Sequence, residues 1–180
     1  HGDALFETHV ELPTVDLGHG VSATVFLGSL AGVASPATAF TPIVGAQLTL
    51  VPGSRATLPL DAAWEHGIVP LAGGVAVHDE SGELPAAPAG GILYLGTDRS
   101  RVALASDQGC TVMLLGGEPL QEDLVMWWNF VGRTHEEIVE AWHSWNGDDG
   151  RFGTVDGHDG VRILAPPMPD IRLKPRKRQA

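Results

Sequence analysis

The residues of this chain best placed to do chemistry stand together as Trp64-Glu65-His66. An imidazole titrates near neutrality and a neighbouring carboxylate can orient it. Glu65 and His66 therefore have the makings of a general acid–base pair or part of a metal site, with Trp64 as a pocket wall. The same residues also read as a strand-end group that bonds nearby backbone or lines an inert pocket, and this plainer reading is preferred. His1, His9, His19, His78, His135, His143 and His158 are scattered without an H-x-H or an i, i+4 pair, and random surface placement explains them. No residue is assigned a catalytic role. No G-x-S-x-G, C-x-x-C, P-loop or dinucleotide fingerprint is present. The stretch NGDDGRFGTVDGHDG at 146–160 lacks the odd-position acids and closing glutamate of a calcium loop, and reads as a turn-rich connector. Trp127-Trp128 could anchor a partner, but strand alternation predicts one ring inside a barrel and the other under a helix or against another domain.

The elements that must position these residues are mostly strands. With 23 Gly and 13 Pro, the chain is punctuated at short intervals, and valine, leucine and threonine fill the segments between. Strands are expected near 5–11, 21–27, 44–51, 56–60, 68–71, 75–78, 92–95, 102–105, 111–115 and 124–128. Turn signals at Pro52-Gly53, Gly73-Gly74, Ser81-Gly82, Gly90-Gly91 and Gly116-Gly117 separate them. In VGAQLTLV, Val44, Ala46, Leu48 and Leu50 alternate with Gly45, Gln47 and Thr49, the period of a half-buried strand. Many short strands at even spacing favour a sandwich or barrel over a parallel α/β sheet.

One helix is expected at about 134–146. Thr134 and Glu137 form a T-x-x-E capping box, and Ile138, Ala141, Trp142 and Trp145 recur at helical spacing for burial against a barrel. Asn146-Gly147 supplies a stop. The closing APPMPDIRLKPRKRQA reads as an extended strap whose prolines exclude a helix.

A chain of 180 residues can bury a sizeable core without disulfides, and its single cysteine, Cys110, sits in an apolar run as a buried residue would. No apolar run approaches the roughly 20 residues of a membrane span, and the first residues lack a signal-peptide pattern, so a cytoplasmic setting is expected. Residues 171–180 form a basic tail holding five of the 11 basic residues. The preceding 170 carry 6 basic against 22 acidic residues, a balance of −16, which argues against nucleic acid as a partner of the folded part. The chain begins with His1, and an upstream portion is expected to precede it.

The run from Met126 to Val155 resembles the closing segment of pirin family proteins. In that segment a tryptophan-containing strand leads to an F-V-x-x-T-x-E-E-I helix start and a G-R-F-G turn. The matching residues are Trp128, Phe130, Val131, Thr134, Glu136, Glu137, Ile138, Gly150, Arg151, Phe152 and Gly153. The stretch from Gly28 to Ser54, with its Ser-Pro segment and its strand running into Pro52-Gly53, is similar to the opening of the second pirin domain. The resemblance implies an all-β jelly-roll cupin barrel over 1–170 with a short C-terminal helix. It also implies an intact bicupin protein whose metal, iron or another divalent ion, is held by three histidines and a glutamate of an N-terminal cupin outside this sequence. None of those ligands falls on a residue here.

A metal-competent cupin carries G-x5-H-x-H-x3-4-E-x6-G and P-x-G-x2-H. Starting near Gly53, the histidine places hold Pro59 and Asp61, and Trp64, Glu65 and His66 surround the glutamate place as pocket candidates. In the second motif Pro88, Ala89, Gly90, Gly91 and Ile92 lead to Leu93 where a ligand is required. No metal or other cofactor is therefore expected in this half. The resemblance implies quercetin 2,3-dioxygenase-type oxidation for the intact protein, with the N-terminal cupin as this half's partner. The alternatives are an interaction or co-regulator protein with a protein partner and no catalysis, and a stand-alone cupin that binds a small molecule.

Overall fold

The computed structural model describes residues 5–87, 90–154, 157, 160 and 162–175. The chain divides into two compact units, residues 9–119 and residues 120–180 together with 1–8.

The larger unit is a jelly-roll of two antiparallel sheets. One sheet has the order β1 (Thr14–Gly18), β2 (Val21–Leu30), β4 (Ile43–Leu50), β11 (Cys110–Gly117), β6 (Glu65–Gly73), β9 (Leu93–Gly96), with β3 (Val33–Ala34) paired to β2. The other has the order β5 (Ser54–Pro59), β10 (Arg101–Ser106), β7 (Ala76–Asp79), β8 (Gly82–Glu83). Alternate residues of both sheets meet in one core. Val44, Ala46, Leu48 and Leu50 of β4 are buried with Val112 and Leu114 of β11, Ala56 and Leu58 of β5, and Val102 and Leu104 of β10. Each fully buried valine or leucine contributes about 1.5–3 kcal/mol relative to exposure. Cys110 is buried in the same core.

Three features depart from the sequence pattern. Residues 5–11 form no strand; Leu5, Phe6 and Val10 are exposed there, and the ladder begins after Pro13 with β1. Gly116-Gly117 is not a turn but the end of β11, paired on one side with β4 and on the other with β6. The two-residue strands β3 and β8 are too short for alternation to show.

In β2 a bulge at Phe26 shifts the register against β4 between Val25 and Leu27. Beyond it Gly28 takes φ 65°, its carbonyl accepts the Ser35 N–H at 2.8 Å, and β2 folds back on β3. Ala31 and Gly32 form the two-residue turn with φ 48° and 81°, both positive, as the tightest right-twisted hairpins require.

The smaller unit holds the hairpin of β12 (Val125–Trp127) and β13 (Phe130–Gly132), the helix α1 (His135–Gly147) and an extended strap. Thr134 Oγ1 accepts the Glu137 N–H at 3.2 Å, so the N-cap forms as expected. The Glu137 carboxylate reaches back over the helix start, accepting chiefly the Arg133 N–H at 2.7 Å and, more weakly, interacting with the Thr134 backbone N–H. Asn146 does not stop the helix, because its side chain is committed to the strap, exchanging two hydrogen bonds with the Ala165 backbone. Asp148 takes the left-handed cap instead, with φ 51°.

Trp142 and Trp145 pack in a cluster with Val125, Phe130, Ile138 and Ala165, not in the barrel core, and their indole N–H groups donate to Pro166 O and Ile163 O, each at 2.8 Å. Trp128 lies in the β12–β13 turn with φ 52°, so strand alternation does not govern it. Its ring packs on Phe130 and Trp145, while Trp127 joins the same cluster. The start of the basic tail is tied to the helix, with Arg172 paired to Glu136 and the Leu173 N–H donating to His135 Nδ1. Residues 176–180 of that tail lie outside the described residues. Among the described residues no helix is long and apolar enough to cross a membrane.

Candidate functional site

Strand β6 sends Glu65 and His66 to opposite faces of the sheet, as its period of two demands. His66 points to the side of Ile68 and is 3% exposed, across the ladder from Gly116 of β11. Glu65 lies on the outer side, where its Oε1 accepts the Tyr94 hydroxyl at 2.9 Å. The two therefore cannot form an acid–base pair, a correction to the sequence reading that alternation itself predicts. Trp64 stays with His66, their rings near-parallel at 21° and centroids 6.4 Å apart.

Together Trp64 and His66 line a cavity of about 500 Å³, with Asp61, Leu60 and Leu114. The β2–β3 hairpin contributes the rest of the wall through residues 29–32, which the sequence reading missed because nothing in SLAG signals a pocket. Glu65 is not on this wall.

A short turn holds Asp61 and Trp64. Asp61 Oδ1 accepts the Ala63 N–H at 2.9 Å, its carbonyl accepts the Trp64 N–H at 3.0 Å, and the Ala62 carbonyl accepts the Asp98 N–H at 2.8 Å. His66 Nδ1 is buried and makes no hydrogen bond of ordinary geometry among the described residues, although the ring lies close enough to the Trp64 backbone to interact with it weakly. Burial pushes the His66 pKa below its ordinary value, and the Trp64 backbone and the Asp61 charge oppose that shift only in part.

The sign of the pH effect follows. The unfolded chain takes up the His66 proton first, so this residue's contribution is complete above pH 6.5 and declines as pH falls from 6.5 towards the lower folded value. Asp79, held at about 2 by hydrogen bonds from Ser81 and by Arg99, acts in a separate acidic window. Urea unfolding on both sides of pH 6.5 is expected to show a steeper loss of stability in the native chain than in His66→Leu. Equal slopes would remove the buried neutral imidazole from the account.

The places that a cupin metal would need do not supply a ligand set. Pro59 ends β5 and Leu93 opens β9 opposite Ile68; neither side chain can coordinate. Pro88 and Ala89 lie outside the described residues. Asp61 offers one carboxylate, with Oδ1 already engaged, and His66 one imidazole. Iron or zinc sites of this kind take three or four such groups. No cluster of three His, Cys, Asp or Glu occurs among the described residues.

In the smaller unit a groove of about 390 Å³ runs between α1 and the strap beside Trp142 and His143. Its other imidazole, His135, already accepts the Leu173 N–H.

Residues 45–153 match the family profile of the pirin C-terminal cupin domain. A Pseudomonas aeruginosa protein carrying a provisional quercetin 2,3-dioxygenase name is 38% identical over 164 residues, 91% of this chain and 50% of that protein. Human pirin is 26% identical over 122 residues, 68% of this chain and 42% of its own length. The crystal structure of quercetin 2,3-dioxygenase from Acinetobacter baumannii superposes with a TM-score of 0.77 at 33% identity, covering 94% of this chain and 55% of that one. The chain thus spans about half the length of the curated relatives it matches.

Proposed function

The chain belongs to the pirin family, as its C-terminal cupin domain, and we propose that it is the half of a pirin-like bicupin that does not bind the metal. In this reading quercetin 2,3-dioxygenase-type oxidation belongs to an N-terminal cupin holding iron or another divalent ion, and that cupin is this domain's partner. The observation that carries the reading is the donor set of the barrel. Among the described residues only His66 presents an imidazole to the cavity, while Pro59, Asp61 and Leu93 occupy the places where further imidazoles would be needed. This domain contributes a packed barrel and a face for its partner, and no step of the oxidation is assigned to its residues.

Metal analysis of the purified 180-residue chain is expected to find iron, zinc, copper and nickel all well below one equivalent. A polypeptide extended upstream through a barrel with an H-x-H and Glu pattern is expected to hold one. A tightly held equivalent in the 180-residue chain would sink the reading.

A second reading, a protein-contact module without catalysis, is favoured by Met126 and Val131. They are direct cross-strand partners on the β12–β13 hairpin and are 71% and 58% exposed. Oxygen uptake with a flavonol by the metal-loaded extended protein separates the two readings, and absence of turnover selects the contact module.

A further inference from the structure

We propose that His135 is a pH-sensitive latch in the smaller unit: it holds the end of the strap on α1 while its imidazole is neutral and releases it when the ring takes up a proton. This goes beyond the metal-free reading above and rests on none of it. The Leu173 backbone N–H donates to His135 Nδ1 at 3.2 Å. A backbone N–H can only donate, so the bond needs a bare Nδ1. The neutral ring with its proton on Nε2 supplies one, and the imidazolium, a donor at both nitrogens, does not. Beside this bond Arg172 pairs with both carboxylate oxygens of Glu136, at 2.6 and 3.0 Å. Protonation thus sets two N–H donors against each other at Leu173 and brings a second cation to the carboxylate that Arg172 uses.

The anchors nearer the start of the strap have no such sensitivity. Arg162 donates to Trp145 O, the Trp145 and Trp142 indoles donate to Ile163 O and Pro166 O, and Asn146 exchanges two bonds with Ala165. None of these groups changes charge between about pH 5 and 8. From 168 to 171 the strap borders the groove of about 390 Å³ along α1, so the contacts at 172–173 close its far end. The Met168 and Leu173 side chains also pack on the cluster of Val125, Phe130 and Ile138, so acid shifts the latch towards its open state without unfolding the unit. The charged and titratable groups around His135 are Glu136, Glu140 and His143 on α1, Asp149 beyond its end, and Asp170 and Arg172 on the strap. Hydrogen bonding from Arg172 holds Glu136 below the usual carboxylate range, so that carboxylate stays charged while an imidazole titrates. Opening detaches Arg172, the first of the five basic residues of 171–180, from Glu136, and so links the attachment of the basic tail to pH.

Amide hydrogen exchange followed by NMR on the 180-residue chain at pH 5.5 and 7.5 tests the latch, with each rate divided by its intrinsic value at that pH. The Ala165 N–H, bonded to the Asn146 side chain, is the internal reference. Protection of Leu173 relative to Ala165 is expected to fall about three- to tenfold at the lower pH, the worth of one hydrogen bond. His135→Asn puts an amide oxygen in place of Nδ1, an acceptor at both pH values, and is expected to abolish this pH dependence. His143→Asn removes the other imidazole of the groove, whose ring stands edge-on to Trp142, and is expected to leave the dependence as in the native chain. Equal relative protection at the two pH values in the native chain overturns the proposal. So does a pH dependence that survives in His135→Asn or disappears in His143→Asn.

Discussion

Gly28→Ala is expected to destabilise the barrel by about 2–6 kcal/mol, the sum of two effects of about 1–3 kcal/mol each. The first is backbone strain, because Gly28 has φ 65°, a region that alanine adopts with difficulty. The second is overlap. A Cβ at this position would stand 1.7 Å from Ile43 O and 2.7 Å from Ile43 C. Both are backbone atoms of β4 held in the ladder by the Gly28–Val44 pairing, so no side chain can swing away to relieve the contact. A loss of this size is a large share of an ordinary domain stability of about 5–15 kcal/mol. Urea unfolding followed by circular dichroism measures it, with an unchanged slope showing that the native and unfolded states remain comparable. A loss below about 1 kcal/mol, the size of an ordinary surface change, would mean that β2 and β4 do not approach this closely. The close approach also has a functional side. The Phe26 bulge and Gly28 turn β2 into the hairpin whose residues 29–32 wall the His66 cavity, so this substitution is expected to disturb the cavity before the rest of the core.

Those same features explain which parts of the architecture could be read from the sequence. Strand β4 was legible because Val44, Ala46, Leu48 and Leu50 all fall inward and nothing interrupts their period. The helix was legible because Thr134, Ile138 and Ala141 satisfy cap and apolar face together. Bulges are invisible to alternation, since one inserted residue at Phe26 changes which positions follow inward without changing composition. Residues 5–11 alternate weakly yet form no ladder, because pairing depends on a neighbour that local pattern does not specify. Double glycine marks a turn in most sequences; at Gly116-Gly117 it marks a strand end where neighbours come too close for a side chain. For the candidate site, the rule of opposite faces was sufficient to separate Glu65 from His66. It failed for Trp127-Trp128 because Trp128 had already left the strand for the turn. The empty chemistry of Pro59 and Leu93 was plain from residue type alone, whereas the cavity wall assembled from residues 29–32 and 60–66 arises only through long-range pairing.

Gly116→Ala is the second substitution expected to have a large effect, about 2–3 kcal/mol, and its value lies in the coupling it exposes. A Cβ on residue 116 would meet His66 Cδ2 at 2.5 Å, His66 Cγ at 3.1 Å and Glu65 O at 2.8 Å. Two of these three contacts belong to the imidazole and one to backbone. Removing the ring with His66→Ala therefore lifts part of the conflict and leaves the Glu65 carbonyl in place. In a double-mutant cycle, Gly116→Ala is expected to cost less in the His66→Ala background than in the native one, by on the order of 1–2 kcal/mol. If the two costs agree within about 0.5 kcal/mol, the limit of additivity for uncoupled sites, the imidazole does not rest on Gly116 and its inward placement is wrong. The cycle also bears on why a lone histidine persists inside this barrel. A glycine at 116 is what lets the His66 ring lie buried against β11, with its Cδ2 edge toward that strand. In that position the imidazole has no neighbouring imidazoles among the described residues with which to share a metal.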